Sequence, residues 1–349
     1  MARVRLKDIA DVVGVSTMTV SNAYNAPHRL SAELRERILA TAASMGYHGP
    51  GGAGRTLRSG KSNAYAVLFG EPLSYAFLDP YTVLLLAGFS QAMEERNASI
   101  VLLSVPPDDV EALNAVRNAT VDGLAGLCAS HPAMQIARER GLRAVATDPV
   151  PDGDYVTIDD RAAGHAMGAH IRRLGHRDVT VVAEVLFADQ PAPTEYSMED
   201  FSAVLDRYTT SGYFDWWLRL RGLFDGLGDA HVRVLVAGRN TRDSGRIAGE
   251  FALDRADRPT AIIAVSDVMA LGVLDAMADR GLVAGHDVSV AGFDDIPDAV
   301  RAGLTTVHQP ILDKGRLAAE LLLDADRTPR QVSLPHQLIV RTSTGPAPA

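Results

Sequence analysis

One cysteine, Cys128, is all that this 349-residue chain carries. A lone thiol closes no internal disulfide, so packing rather than cross-links must hold the fold, and no oxidising compartment is required. Long apolar runs are missing too: none approaches the roughly 18 residues of a membrane span. The opening segment, Met1-Ala2-Arg3-Val4-Arg5-Leu6-Lys7-Asp8, has charges with no apolar stretch behind them, unlike a secretory signal. A cytoplasmic protein with no membrane partner is expected. The marks of common catalytic centres are equally scarce. There is no Gly-x-Ser-x-Gly elbow, no His-Glu-x-x-His pair and no Cys-x-x-Cys. A phosphate-binding loop ending in Gly60-Lys61-Ser62 would need glycine where Arg55 stands. No enzyme is expected, and no catalytic residue, cofactor or metal site.

Hydrophobic residues at 47% and charged residues at 22% supply packed cores rather than a disordered chain. At roughly 100–200 residues per domain, the length suits two or three domains. The net charge of −9 is unevenly spread: residues 1–61 carry +5 and the remainder −14. A basic head on an acidic body pairs a polyanion-binding module with a part that repels polyanions. A solvated basic face without a partner has the same signature at this level.

In the head, Leu6, Ile9, Ala10 and Val13 recur at helical spacing and Gly14 ends the run. Ser16 is a good N-cap for a second helix from Thr17 to about Tyr24, which Asn25-Ala26-Pro27 terminates. Ser31 caps a third helix, with Glu33 in the first turn where the dipole favours an acid. Its apolar face is Leu34, Ile38, Leu39, Ala42 and Met45, and Gly46 ends it. Three short helices with a glycine turn between the first two make a helix-turn-helix plan. Thr17, Thr19, Ser21 and Asn22 on the second helix are small and polar, suited to a major groove. Double-stranded DNA is the expected partner. Residues 46–62 then hold six glycines and read as a linker by composition.

From Asn63 onward, short apolar strands alternate with amphipathic stretches. Strands are expected at 64–69, 99–104, 123–127, 143–147, 179–183, 232–237, 261–265 and 288–292. Helices are expected at 81–96, 110–118, 132–140, 161–174, 244–255, 267–280 and 314–323. Such alternation builds parallel sheets, which bind ligands beyond the C-terminal ends of their strands. Roughly 280 residues exceed one sheet of this type, so two lobes with a cleft are expected. Tyr75, Phe77 and Asp79, after the first strand, would meet a ligand there, although Tyr75 and Phe77 also suit lobe-core packing. Trp216 and Trp217 suit core or interface, and 187–213 is an insertion-like stretch that would cover the cleft. Soluble binding proteins of transport systems and α/β enzymes share this architecture, so the site must decide.

The run Leu6-Lys7-Asp8-Ile9-Ala10-Asp11-Val12-Val13-Gly14-Val15-Ser16-Thr17-Met18-Thr19-Val20-Ser21 resembles the N-terminal signature of the lac repressor (LacI/GalR) family. Asn25, Ser31, Arg35 and Gly46-Tyr47 match as well. In the body, Pro259-Thr260-Ala261-Ile262-Ile263-Ala264-Val265-Ser266-Asp267 and Asp287-Val288-Ser289-Val290-Ala291-Gly292-Phe293-Asp294-Asp295-Ile296 are similar to that family, as is Leu304-Thr305-Thr306-Val307-His308-Gln309-Pro310. The likeness covers nearly the whole chain and weakens over 184–230. It implies an N-terminal all-α helix-turn-helix head plus an α/β periplasmic-binding-protein-like effector domain of two parallel-sheet lobes. The implied domains are 1–48 for the head, 49–62 for a hinge and 63–349 for effector binding and dimerisation. The N-lobe would take about 63–160 and 293–324, and the C-lobe about 161–292 and 325–345.

By the same resemblance Thr17, Met18 and Asn22 face bases, while Ser16, Thr19, Ser21 and Asn25 hold phosphates; Arg29 completes the set in the head. Arg55 and Leu57 match the hinge arginine and the leucine that wedges into the minor groove. Gly51 and Gly54 replace two hinge residues, and each costs about 1 kcal/mol of helix stability relative to alanine. A loose tether without a helix is the alternative. Most members have arginine where this chain has Asn22, and asparagine suits adenine rather than guanine. The implied effector contacts are Asp148, Arg219, Ser266 and Asp294, and Asn240 stands where several members place a sugar-stacking aromatic. The resemblance implies a transcriptional regulator, a repressor in the first place, acting as a homodimer on a pseudo-palindromic operator under control of a sugar or related metabolite. Gly345-Pro346-Ala347-Pro348-Ala349 shows no heptad repeat, so a dimer rather than a coiled-coil tetramer is expected.

Overall fold

The computed structural model describes residues 4–47, 60–106, 109–127, 131–150, 153–185, 190, 192–210, 217–326 and 328–348. The chain divides into Met1–Asn63 and Ala64–Ala349. Among the described residues, no helix is long and apolar enough to cross a membrane.

The first unit is a three-helix head. The Arg5 backbone N–H donates to Asp8 Oδ2 at 2.7 Å, fixing the start of helix Leu6–Val13. Gly14 follows at φ 79°, a left-handed turn that a side chain would strain. Ser16 Oγ then accepts from Thr19 N at 3.0 Å and opens helix Thr17–Asn25. A 3-10 turn, Pro27–Arg29, leads to Ser31, which caps helix Ala32–Ser44. Ile9, Ala10, Val20, Ala23, Ile38 and Ala42 are buried together as the core.

The second unit holds two sheets. Its strands are β1 (Ala64–Phe69), β2 (Ser99–Ser104), β3 (Gly123–Leu127), β4 (Arg143–Ala146), β5 (Asp154–Ile158), β6 (Asp178–Ala183) and β7 (Thr194–Ser197). After them come β8 (His231–Val236), β9 (Ala261–Ala264), β10 (Ser289–Asp294), β11 (Thr305–His308), β12 (Gln331–Leu334) and β13 (Gln337–Ile339). The first sheet runs β12-β5-β4-β3-β1-β2, all parallel. The second runs β13-β11-β10-β9-β6-β8-β7, parallel except for β7 and β13 at its edges. Fully buried Val67, Val181, Val234, Ile262 and Val290 give the central strands the continuous apolar character of sheets covered on both faces.

Strand pairing corrects the expected lobe boundaries. β11 pairs with β10 in the second sheet, so 305–308 does not belong to the first lobe. β12 pairs with β5 in the first sheet, so 331–334 does not belong to the second. The helix between them, Ile311–Leu323, packs on Pro80–Glu95 in the first lobe. The described part of the insertion-like stretch is no cover for the cleft. It forms β7 and helix Met198–Thr210, which extend the second sheet beyond β8. Trp217 packs against the core, whereas Trp216 and Cys128 lie outside the described residues.

Candidate functional site

On helix Thr17–Asn25 the residues Met18, Asn22 and Asn25 fall at i, i+4 and i+7, one line along the helix. Met18 is 66% exposed, while Val20 and Ala23 on the other side are fully buried. Thr17 and Asn25 are exposed and Asn22 is half-buried. Ser16 Oγ lies 2.8 Å from Thr19 Oγ1, so both hydroxyls stay near the helix start. Ser21 departs from the expectation. It is buried, and Asn25 Nδ2 donates to its carbonyl at 2.8 Å, with its hydroxyl 3.3 Å from the same nitrogen. The helical turn sets it between the core line and the outer line, where it supports Asn25 instead of facing outward. Arg29 is exposed, and Arg35 Nε donates to the Ala23 carbonyl at 3.2 Å near the end of this helix. The outer ridge is thus neutral and polar with one apolar member. Arg55 and Leu57 lie outside the described residues.

In the body, the expected effector residues gather where the C-terminal ends of strands meet. Glu184 follows β6, Asn240 follows β8, Ser266 follows β9, Asp294 ends β10 and Gln309 follows β11. From the other lobe come Glu71, Tyr75 and Asp79 after β1 and Asp148 after β4. Asn240 is the meeting point. Its carbonyl accepts from the Tyr75 hydroxyl at 2.6 Å, and its Oδ1 accepts from Ser266 Oγ. Arg239 beside it pairs with Glu71 at 3.2 Å. These two contacts span the lobes. Tyr75 is half-buried and makes one of them, so it is not lobe-core filling. Phe77 remains 56% exposed and is not brought into this network.

Arg219 depends on close helix packing. A side chain on Gly222 would collide with the Arg161 carbonyl, and one on Gly164 with the Arg219 carbonyl. Both glycines let helix Trp217–Leu227 lie against Asp160–Arg173. Arg219 Nε then donates to Asp160 Oδ1 at 3.0 Å and Nη1 to the Val265 carbonyl at 2.8 Å. Its guanidinium carbon stands 3.4 Å from the centre of the Phe293 ring. Burial works against this charge, but the Asp160 and Asp294 carboxylates outweigh it and raise the pKa. Lys314 is buried, with its Nζ donating to the Tyr81 hydroxyl at 3.0 Å. Burial opposes its charge too; Tyr81, Asp148 and Asp160 more than compensate and hold its pKa well above the ordinary value.

Asp294 sits at φ 118°, a conformation that costs on the order of 1–3 kcal/mol off glycine. Its neighbours over-determine it. Gln309 Nε2 donates to Asp294 Oδ1 at 2.7 Å. Just beyond, Asp267 accepts from Thr306 Oγ1 at 2.6 Å and from Ile296 N at 3.0 Å, tying the ends of β9, β10 and β11 together. Burial, reinforced by Asp79 and Asp160 and opposed by Arg219 and the Gln309 hydrogen bond, pushes Asp294 up to about 7. Glu184 is also pushed up to about 7, by burial and then by Glu71 and Asp79. Burial raises Asp148 as well, against the pull of Lys314 and Arg219. Asp79 has a structural duty: its Oδ2 caps helix Pro80–Glu95 through Thr82 N at 3.1 Å and the Thr82 hydroxyl at 2.6 Å.

Comparison with known proteins agrees with both halves of this geometry. The model for bacterial regulatory proteins of the lacI family matches residues 5–49, and that for the periplasmic binding protein-like domain matches residues 168–344. An HTH-type transcriptional regulator of Mycolicibacterium smegmatis is 35% identical, over 92% of this chain and 90% of its own length. The chain belongs to the lac repressor family. It is a DNA-binding transcriptional regulator. Among solved structures it is similar to a complex of the transcriptional regulator CelR with cellobiose, with a TM-score of 0.65, 25% identity and coverage of 98% and 100% of the two chains. It also shares the fold of the lac repressor dimer bound to operator and the anti-inducer ONPF, with a TM-score of 0.73, 24% identity and coverage of 98% and 99%.

This lac repressor family member also brings to the expected residues several that its sequence did not single out: Glu71, Tyr81, Asp160, Glu184, Arg239, Phe293, Gln309 and Lys314. Several have a sequence signal in retrospect. Glu184, Phe293 and Gln309 lie at or just after C-terminal strand ends, where a parallel sheet places ligands. Lys314 has no such signal, because it sits within the first turns of a helix from the other lobe.

Proposed function

We propose that this chain is a homodimeric repressor whose two heads hold a pseudo-palindromic operator and whose grip is set by a small polar effector in the interlobe cleft. Thr17, Met18 and Asn22 read base edges, with Ser16, Thr19, Asn25 and Arg29 set for backbone contact. Two-fold pairing of heads places them on half-sites. Residues 49–62 serve as the hinge, with Arg55 and Leu57 as its minor-groove contacts. The effector is a sugar or a related metabolite held by Tyr75, Asp79, Asp148, Arg219, Asn240, Ser266 and Asp294. A cytoplasmic site of action and binding without chemical turnover belong to the same reading.

The observation that carries control by the cleft is the Tyr75 to Asn240 hydrogen bond, made between two candidate effector residues on opposite lobes. A ligand that claims either group alters how the lobes pair, and it acts through its affinity difference between lobe arrangements. The test needs no known effector. Operator is recovered by selection from random duplexes, and its affinity for the full-length chain is measured by gel shift. Tyr75→Phe combined with Arg239→Ala removes these two interlobe contacts and is expected to change operator Kd by about 3- to 30-fold, from roughly 1 kcal/mol or less per contact. An unchanged Kd overturns control of the head by the cleft.

A further inference from the structure

The cleft has more acceptors than its own residues use. Among the described residues six carboxylates act on one another there: Glu71, Asp79, Asp148, Asp160, Glu184 and Asp294. Three cations enter the same set of interactions: Arg239 on Glu71, and Arg219 and Lys314 on the others. Arg219 is engaged by Asp160, the Val265 carbonyl and the Phe293 ring, and Lys314 gives one of its donors to the Tyr81 hydroxyl. Two buried acceptor atoms stay unpartnered: Asp79 Oδ1 from one lobe and Gln309 Oε1 from the other. Their residues are 7% and 2% exposed. Gln309 donates to Asp294, and Asp79 is near enough to Asp294 for its charge to be felt. The orphan acceptors and the Asp294 carboxylate therefore lie around one region.

Buried acceptors without donors are costly, on the order of 1–3 kcal/mol each, and a site that keeps them is shaped for a ligand that donates. A phosphate or carboxylate would meet these oxygens and be repelled by the carboxylates around them. We infer that the effector is a small polyhydroxylated molecule bearing a protonated amine, with its ammonium held by Asp79, Asp294 and Gln309 across the lobes. An ammonium has three donors and no acceptor, which complements this set. It also supplies the counter-charge that the buried carboxylates lack, and so favours their ionised forms. Because Asp79 and Gln309 stand on different lobes, the same group ties closure to charge. This inference rests on the effector reading above and narrows it to one chemical class.

The experiment is titration calorimetry and thermal shift on the full-length chain with matched probes. These are amino polyols (2-amino-2-deoxyhexoses, an amino-inositol and 1-amino-1-deoxyhexitols), their neutral hydroxyl counterparts, and the corresponding phosphates. At least one amine is expected to bind ten-fold or more tightly than its neutral partner, with the phosphate weakest. Asp79→Asn and Asp294→Asn should each erase that preference. Both should fold, since asparagine also caps helices and tolerates positive φ. Glutamine in place of Glu95, outside the cleft, should leave the preference intact. A neutral or phosphorylated probe that equals its amine, an amine preference that survives both variants, or failure of every amine to bind overturns the assignment. None of these outcomes bears on the operator assay with Tyr75→Phe and Arg239→Ala, so loss of the amine reading is distinguishable from loss of cleft control.

Discussion

The head and the body of this regulator handle charge in opposite ways. The head is basic overall, yet the outward line of its second helix is Met18, Asn22 and Asn25, with no charge at all. The body is acidic overall, and it draws carboxylates inward to a cleft where Arg219, Arg239 and Lys314 answer them. In water, charge on the head acts as a diffuse attraction that salt weakens and that ignores sequence. Sequence discrimination is left to neutral donors and acceptors of fixed geometry. In the cleft the surroundings are less polar, so each charge is felt strongly by its neighbours and its protonation becomes adjustable. One chain thus uses charge for reach at one end and for selectivity at the other.

The sharpest way to break this division is to unfold one part. The core of the head is six buried side chains, separate from the two cores of the body. Ile38→Ala removes one of them and should cost about 2–5 kcal/mol in a unit with little to spare. Operator affinity is expected to fall more than 100-fold while the main calorimetric transition of the body stays in place. A shift of that transition by the same substitution would show the two parts to be one cooperative unit.

A smaller effect sharpens the account of base reading. Asparagine pairs through both its groups with adenine, so selected operators are expected to carry adenine opposite Asn22 in each half-site. Asn22→Ala should cost about 1–3 kcal/mol per half-site and relax the preference at that base pair alone. Recovery of guanine there, unchanged by the substitution, removes Asn22 from base reading.

The smallest effect concerns protons. Asp294 and Glu184 hold theirs up to about pH 7, whereas the unfolded chain gives them up near 4. Folding is then linked to proton uptake, and the stability contributed by these groups is lost as pH rises through about 7. His170 and His176 act the other way. Burial first, then charged neighbours at His170, hold both below the usual value, so their contribution is lost as pH falls below about 6.5. The informative quantity is therefore the difference between wild type and Asp294→Asn. Wild type should lose more melting temperature than the variant between pH 6 and 8, by a few degrees. Parallel pH profiles would place the Asp294 carboxylate in an ordinary, ionised state.

Much of this was legible in the residues. The head was legible because caps, glycine turn and apolar spacing agree over forty residues, and the second and third helices start at Ser16 and Ser31 as their side chains dictate. Among the strands, 64–69, 99–104 and 123–127 were readable to the residue because each is a mostly apolar run set off by polar or turn-forming neighbours. β5, β7, β11, β12 and β13 were not: β7, β12 and β13 are three or four alternating residues at sheet edges with little apolar signal, and β5 and β11 break their short apolar runs with Asp154, Thr157, Thr305, Thr306 and His308. The lobe boundaries failed for a related reason. Which sheet a short strand joins is decided by its pairing partner, and no local pattern in β11 or β12 records that. Ser21 was misplaced because polarity suggested the surface, while the turn of the helix put it beneath Asn25. Asp294, Ser266 and Asn240 came from likeness to a family, and their partners Glu184 and Lys314 emerge only when two lobes are brought face to face.

Three passages of chain join the lobes: Asp159 between β5 and its helix, Gln309-Pro310 after β11, and Pro335-His336 between β12 and β13. Asp160, which grips Arg219, and Gln309, which grips Asp294, stand in or beside two of them. On the proposed reading, whatever enters the cleft would press on the axle rather than on the rim. A small displacement at Gln309 would then become a wide swing at the far end of each lobe, much as a door moves farthest at the edge opposite its pins.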